Sequence, residues 1–285
     1  MKSIPNIVWM YWHQGFVDSP ELVKMCFYSW KIRNPDFEIK FLDQDSIHKH
    51  IAIPDYINLF RNDITHQKYA NHIRLNLLKK YGGIWVDANI YCFRPLNEWL
   101  NMELLEEGIF MFSNPFPDRI IANWFIASSA DNYIIKLWSD SYDNYFKKNN
   151  LINTYTKFGK KLRRKIRARS SSNIEETKVW FSVFIRKVLK ISPYLVMHYL
   201  FNKLYLNNQD YKRIWDRVQH MNSCKFDLRC QRIFNKKFSE LEDDYMVGKL
   251  FLLKLSHRID PNAKEFHDQF LLIENDYKKL VRIPH

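Results

Sequence analysis

The chain has 285 residues, enough for one large domain or a catalytic domain with a helical addition, and enough to bury a full core. Its 46% hydrophobic and 16% aromatic content, with six glycines, excludes a disordered or fibrous chain. A formal net charge of +13 points to an anionic partner: a nucleotide diphosphate, a lipid phosphate, a membrane surface or a nucleic acid.

Ile4 to Trp12 reads as a first strand, apolar almost throughout, and His13-Gln14-Gly15 turns out of it. Ser19-Pro20-Glu21 is a helix start, with Ser as cap and Pro at the first helical position, and the helix runs to about Arg33. Phe37 to Leu42 alternates as a second strand. Strand, helix and strand with so long a connection imply parallel pairing and a right-handed crossover. Asp43 follows that strand, where it would touch a ribose or sugar or cap its own loop. Ser46 to Phe60 suggests short helices around Pro54.

From Lys68 the pattern becomes specific. Tyr69, Ile73, Leu77 and Leu78 recur at helical spacing, and Asn71, Arg74 and Leu78 share a face. Tyr81-Gly82-Gly83 ends the helix, because glycine accepts the left-handed backbone of a C-cap. Ile84-Trp85-Val86 is then a short buried strand, with Asp87 and Asn89 at its end, where open α/β sheets bind ligands. A carboxylate there, with a second oxygen ligand two residues on, suits a hard cation shared with a diphosphate. Arg74 would add a charge-assisted contact. The same stretch also reads as a buried helix–strand unit whose Asp87 caps a loop.

Further on, Ile90 to Phe93 continues extended, Asn97 to Leu105 suggests a short helix, and Gly108 to Phe112 a buried strand. Ile120 to Ala127 returns as strand or loop, and Asp131 to Tyr145 is an amphipathic helix. Composition shifts near Asn149, and residues 150–220 are basic, aromatic and helical in pattern. Lys157 to Arg169 holds eight Lys or Arg and no acid, followed by Trp180, Phe181, Phe184 and Ile185. Such a segment either binds an anionic leaflet, at about 1 kcal/mol per basic residue, or is a solvated charged loop. No nucleic-acid motif accompanies it, so nucleic acid is not the expected partner. Lys249 to Leu255 is strand-like, and His257 just beyond it is a candidate for balancing charge on a leaving diphosphate.

The four cysteines (Cys26, Cys92, Cys224, Cys230) form no C-x-x-C pair, which reads as reduced cytosolic thiols without a zinc site. No signal-peptide pattern opens the sequence, and no apolar run reaches the ~18 residues of a membrane span. The expected location is cytoplasmic, either free or peripheral on the inner face of the plasma membrane.

Asn71, Arg74, Gly82, Gly83, Trp85, Asp87 and Asn89 together resemble glycosyltransferase family 32, in particular the bacterial capsular polysaccharide synthesis proteins. The hallmark of that family is an Asp or Asn with an Arg three residues on, then G-G-[IV]-[WY]-[ILV]-D-x-[DTN]. The likeness extends to IPNIVWMYWHQG at the start and, more weakly, to Asn123-Trp124-Phe125-Ile126, His198 to Phe201 and Lys254 to Arg258. Asn89 stands where the strict D-x-D motif has its second Asp, and Asn71 where the helix often carries Asp. An amide oxygen ligates a metal without adding charge.

The resemblance implies a GT-A-like α/β fold: a mostly parallel mixed sheet flanked by helices, with a helical addition. With the composition shift near Asn149, the chain is expected to divide into a nucleotide-sugar-binding core at 1–148, a basic acceptor- or membrane-facing addition at 149–240, and a segment at 241–285 returning to the core. The resemblance also implies transfer of a sugar from a nucleotide-sugar donor, a UDP-sugar with retention of configuration, to a lipid-linked or polysaccharide acceptor, with Mn2+ or Mg2+ as cofactor. Asp87 and Asn89 would hold donor and metal. Arg74 and Asn71 would face sugar and phosphates, Trp12 with Tyr11 the base, and Asn123 with Trp124 the donor sugar or acceptor. The rival reading is an inactive transferase-like module that binds an anionic membrane or polysaccharide, and Asn89 is the feature that favours it.

Overall fold

The computed structural model describes residues 3–54, 66–113, 116–149, 151–226 and 250–255. They form two compact units. The first draws on 1–19, 36–87 and 101–222; the second on 20–35, 88–100 and the described residues from 223 on.

The first unit is built on a five-stranded sheet, with β1 (Ile7–Tyr11), β2 (Glu38–Leu42), β3 (Gly83–Val86), β5 (Ile109–Ser113) and β6 (Ile121–Ser128) in the order β2-β1-β3-β6-β5. β1 pairs in parallel with β2, Ile7 opposite Glu38 and Tyr11 opposite Leu42, and in parallel with β3. β6 runs antiparallel to both β3 and β5, so four of the five strands point the same way. This is the mostly parallel mixed sheet that the resemblance implies. All four residues of β3 are buried, which explains its apolar run without alternation.

Three helices of this unit cover one face: α2 (His66–Tyr81), α3 (Tyr133–Lys148) and α5 (Val196–Asn207). Trp9, Trp85, Met111 and Ile126 from the sheet meet Ile73 and Leu77 of α2, Trp138 of α3, and Met197 and Phe201 of α5 in one core. The polar face of α2 is buried too. His72 bonds Asp143 at 2.8 Å, Lys79 bonds Asp140 at 2.6 Å, and the Tyr142 hydroxyl donates to the Lys68 carbonyl at 2.9 Å.

The turn from α2 into β3 depends on its two glycines. Gly82 and Gly83 have φ of 68° and 90°. A Cβ on Gly82 would stand 2.5 Å from the Ala130 nitrogen, and one on Gly83 2.6 Å from the Ile7 carbonyl. No other residue fits either place.

The second unit contains α1 (Glu21–Arg33) and a two-stranded ladder of β4 (Ile90–Cys92) and β7 (Leu252–Lys254), antiparallel with Ile90 opposite Lys254. The Trp30 indole donates to the Ile90 carbonyl at 2.9 Å, and the Asn34 side chain accepts from the Leu96 nitrogen at 2.7 Å.

Several expectations change. The helix expected at 97–105 is two 3-10 turns, Leu96–Glu98 and Met102–Leu104. Ser19 does not cap α1; its hydroxyl donates to the Phe16 carbonyl at 2.7 Å. The chain does not divide after residue 148. Residues 149–222 cluster with the sheet because Met197, Phe201, Tyr211 and Trp215 complete its core, whereas 20–35 and 88–100 belong to the other unit. The described residues of 150–220 are mainly helical as expected, with α4 (Lys157–Arg169), α5 and α6 (Gln209–Trp215) among them. Of 241–285, the described part is the short stretch carrying β7, which pairs within the second unit. Of the short helices expected over 46–60, the described residues hold one 3-10 turn, Ile47–Lys49, and 55–60 lie outside the described residues.

Candidate active site

Because β2, β1 and β3 are neighbours and parallel, their carboxyl ends share one edge of the sheet. Trp12, Asp43 and Asp87 each follow one of these strands immediately. Such an edge is where open α/β sheets bind ligands. Asn123 reaches the same edge from β6, whose partner β3 runs antiparallel to it, and the Asp87 nitrogen donates to the Trp124 carbonyl at 2.9 Å.

Asp87 and Arg74 meet. The Arg74 Nη2 donates to the Asp87 Oδ1 at 2.6 Å, and the Trp85 Nε1 donates to the same oxygen at 3.0 Å. Two donors on one carboxylate oxygen hold it in a single orientation. The guanidinium lies over the Trp85 ring, 4.9 Å from its centroid, and Nη1 contacts the Met197 sulfur at 3.7 Å. The pair is asymmetric: the Arg74 side chain is 4% exposed and that of Asp87 is 23% exposed. Burial lowers the guanidinium pKa, and the Asp87 charge opposes that shift. The accessible partner is therefore the carboxylate, with arginine behind it. The Arg74 Nε is buried and makes no hydrogen bond among the described residues.

Asn71 and Asn123 extend the cluster. The Asn123 amide donates to the Asn71 Oδ1 at 3.4 Å and contacts the Met197 sulfur at 3.2 Å. Met197 thus touches two of the expected site residues from more than seventy positions away, and nothing in the sequence marks it.

The remaining candidates are placed differently. Trp124 is 3% exposed and stacks on Phe112 at 4.6 Å, a core position. Tyr11 is buried beside His13, its hydroxyl 2.9 Å from the His13 Nδ1, and burial pushes its pKa up. Trp12 is half-buried at the end of β1. The Asp43 Oδ1 accepts from the Ser46 nitrogen at 2.7 Å, the Ser46 hydroxyl at 2.7 Å and the Asp45 nitrogen at 3.1 Å, so it caps the loop after β2. Those bonds, the Ser46 hydroxyl first, hold its pKa below the usual value. Asn89 belongs to the second unit, where its side-chain amide donates to the Leu255 carbonyl. His257 lies outside the described residues. Among the described residues no cluster of three or more His, Cys, Asp or Glu could hold a metal ion.

Known proteins are similar to this chain. The chain is 28% identical over 148 residues to the O-glycosyltransferase braB of Annulohypoxylon truncatum, a match covering 46% of this chain and 35% of that one. It is 27% identical over 169 residues to the uncharacterized glycosyltransferase L373 of Acanthamoeba polyphaga mimivirus, covering 51% and 67%. The chain therefore spans about a third of the first relative's length and two thirds of the second's. Among solved structures it is similar to a glycosyltransferase involved in glycosylation of the major capsid of PBCV-1, at 7% identity and a TM-score of 0.45, covering 93% of this chain and all of that one. A family model described as capsular polysaccharide synthesis protein matches residues 1–177, which hold the paired glycines, Arg74 and Asp87. By that match, which takes in more than half of its length, the chain belongs to the capsular polysaccharide synthesis protein family.

Proposed function

We propose that this chain is a glycosyltransferase that moves a sugar from a nucleotide-sugar donor, a UDP-sugar, to a lipid-linked or polysaccharide acceptor of the cell surface, with retention of configuration. The observation that carries the reading is the Arg74–Asp87 pair beyond the carboxyl end of β3, a charged pair oriented by Trp85 at the ligand-binding edge of the sheet. Family membership and the names of the relatives support the reaction class. The reaction would take place on the cytoplasmic face of the plasma membrane.

Within this reading Asp87 faces the donor, and Arg74 holds its carboxylate in place. Asn71 and Asn123 present amides to the sugar hydroxyls, and Trp12, at the mouth of β1, meets the base. Asp43, fixed by three hydrogen bonds through one oxygen, offers a rigid acceptor to the ribose. A divalent cation, Mn2+ or Mg2+, fits this oxygen set only in part. Asp87 brings one carboxylate, so most of the coordination shell would come from substrate phosphates and water. When bound, the cation would neutralise charge on the departing diphosphate.

The test is UDP release from a panel of UDP-sugars, with and without Mn2+. Turnover with at least one donor is expected, and Asp87→Asn is expected to lower kcat about 10²–10³-fold, the usual loss when one stabilising group leaves a preorganised site. Folding of the variant is checked by near-UV circular dichroism. Asn89, in the place of the second Asp of a D-x-D motif, favours the rival, a binding module without turnover. Donor binding without UDP release across the whole panel decides for that rival.

A further inference from the structure

The basic stretch after α3 has a shape that its composition alone does not show. Residues 157–190 hold twelve Lys or Arg and two acids, so 34 residues carry +10 of the chain's +13. Helix α4 is capped by Thr156, whose hydroxyl oxygen accepts from the Gly159 nitrogen at 3.0 Å. Leu162 and Ile166 turn inward onto a small separate core of Trp180, Ile185, Ile191, Leu195 and Tyr199. Lys160, Lys161, Arg164, Lys165, Arg167 and Arg169 are all exposed.

The apolar residues are arranged unusually. Phe158 is 62% exposed, Val183 67%, Phe184 60% and Val188 61%. Val183, Phe184 and Val188 sit on one π-helical turn, Phe184–Val188, and its leading residue. Asn153 ties that turn to the start of α4: its nitrogen donates to the Lys190 carbonyl at 3.1 Å, and its side-chain amide to the Leu189 carbonyl at 2.9 Å. Phe158 is the second residue of α4, and the Thr156 hydroxyl that caps this helix donates to the Asn153 carbonyl at 2.9 Å. Among the described residues the acids of this stretch are Glu175 and Glu176, and Glu175 pairs with Lys178 at 2.5 Å. The result is a set of exposed apolar side chains in a stretch of net charge +10. Water-exposed Phe and Val of this size are normally buried or covered.

We propose that this surface docks on a bilayer containing anionic lipid, with Phe158, Val183, Phe184 and Val188 inserted at the headgroup boundary and the cations of α4 on the lipid phosphates. Charge complementarity selects the occupant: +10 repels a basic partner, and the exposed apolar side chains have no use on a hydrated polyanion. Insertion is shallow, since no described helix is long and apolar enough to cross a membrane. The proposal stands on its own geometry and does not depend on the transfer reaction.

Flotation of the full chain with phosphatidylcholine vesicles, and with vesicles that also contain phosphatidylglycerol, tests it. The protein is expected to float only with the mixed vesicles and to be released progressively by salt. The quadruple variant Lys160→Gln, Lys161→Gln, Arg164→Gln, Lys165→Gln should weaken that binding roughly a hundredfold or more. Phe158→Ser with Phe184→Ser, both exposed and outside the sheet core, should weaken it roughly tenfold while UDP release stays unchanged. A wild-type chain that does not float with mixed vesicles overturns the proposal. So does binding that the Phe variant leaves intact, or retention of duplex DNA that matches vesicle binding and is indifferent to the Phe variant, which would mark a general polyanion surface.

Discussion

At the scale of single residues, Asp87 and Arg74 carry different parts of one interaction. The buried guanidinium has nowhere else to place its charge, whereas the half-exposed carboxylate is partly hydrated. Removing the carboxylate strands a buried cation, which is the more destabilising half of such a pair. Gly83 is held by a different constraint, a positive φ and a carbonyl 2.6 Å from the missing Cβ. Gly83→Ala is expected to destabilise the fold by about 2–4 kcal/mol, read as a lower denaturation midpoint with an unchanged denaturant slope. Both residues were legible in the sequence, because a glycine pair before a short apolar strand and an acid has few other structural uses. Met197 was not, since a methionine bridging Arg74 and Asn123 leaves no local pattern.

At the scale of elements, α2 shows the limit of periodicity. Its apolar stripe predicts the helix and its core side, but Lys68, Asn71, His72 and Arg74 on the polar side are buried as well. The Lys68 amine donates to the Ser192 hydroxyl at 2.6 Å and lies 5.3 Å from the centre of the Phe146 ring. Burial, reinforced by Arg163, lowers its pKa to about 7 from 10.5. Between those values the unfolded chain binds a proton that the folded chain does not, so folding stability rises with pH through this window. Burial raises the Tyr145 and Tyr211 pKa values, so tyrosine ionisation works in the opposite direction above about pH 10. Unfolding free energies from urea titrations at pH 7 to 9 are expected to climb, by at most about 1.4 kcal/mol per pH unit, and Lys68→Met should flatten the climb. Above pH 9 the Cys92 thiol, pushed up to about 12 by burial, works against it. An unchanged slope in that variant would remove Lys68 as the source.

At the scale of the whole molecule, the division of the chain follows packing and ignores the composition shift near Asn149. Trp138 of α3 lies against Phe201 of α5 at 5.1 Å between ring centroids, and its indole donates to the Met197 carbonyl at 2.9 Å. A fragment ending at residue 148 therefore exposes one wall of the sheet's core. It is expected to lack near-UV circular dichroism and to aggregate, whereas the full chain unfolds cooperatively. Phe201→Ala in the full chain should cost about 3–5 kcal/mol, as for other large aromatic truncations in a core. A fragment 1–148 that folds and binds donor would show that the addition is dispensable.

The sequence by itself determined the α/β class, the helix–glycine–strand unit around Asp87, the charge of the α4 segment and the family to which these residues belong. Each of these depends on local periodicity, on the few conformations open to glycine, or on counting, and none requires knowledge of distant neighbours. Only the tertiary structure decided that Arg74 stands behind Asp87, that Asp43 caps its loop, that Trp124 is core, and that Phe158 and Phe184 are exposed. Those outcomes arise from contacts between residues far apart in the chain, where the partner of a buried charge or ring is set by which elements fold against it.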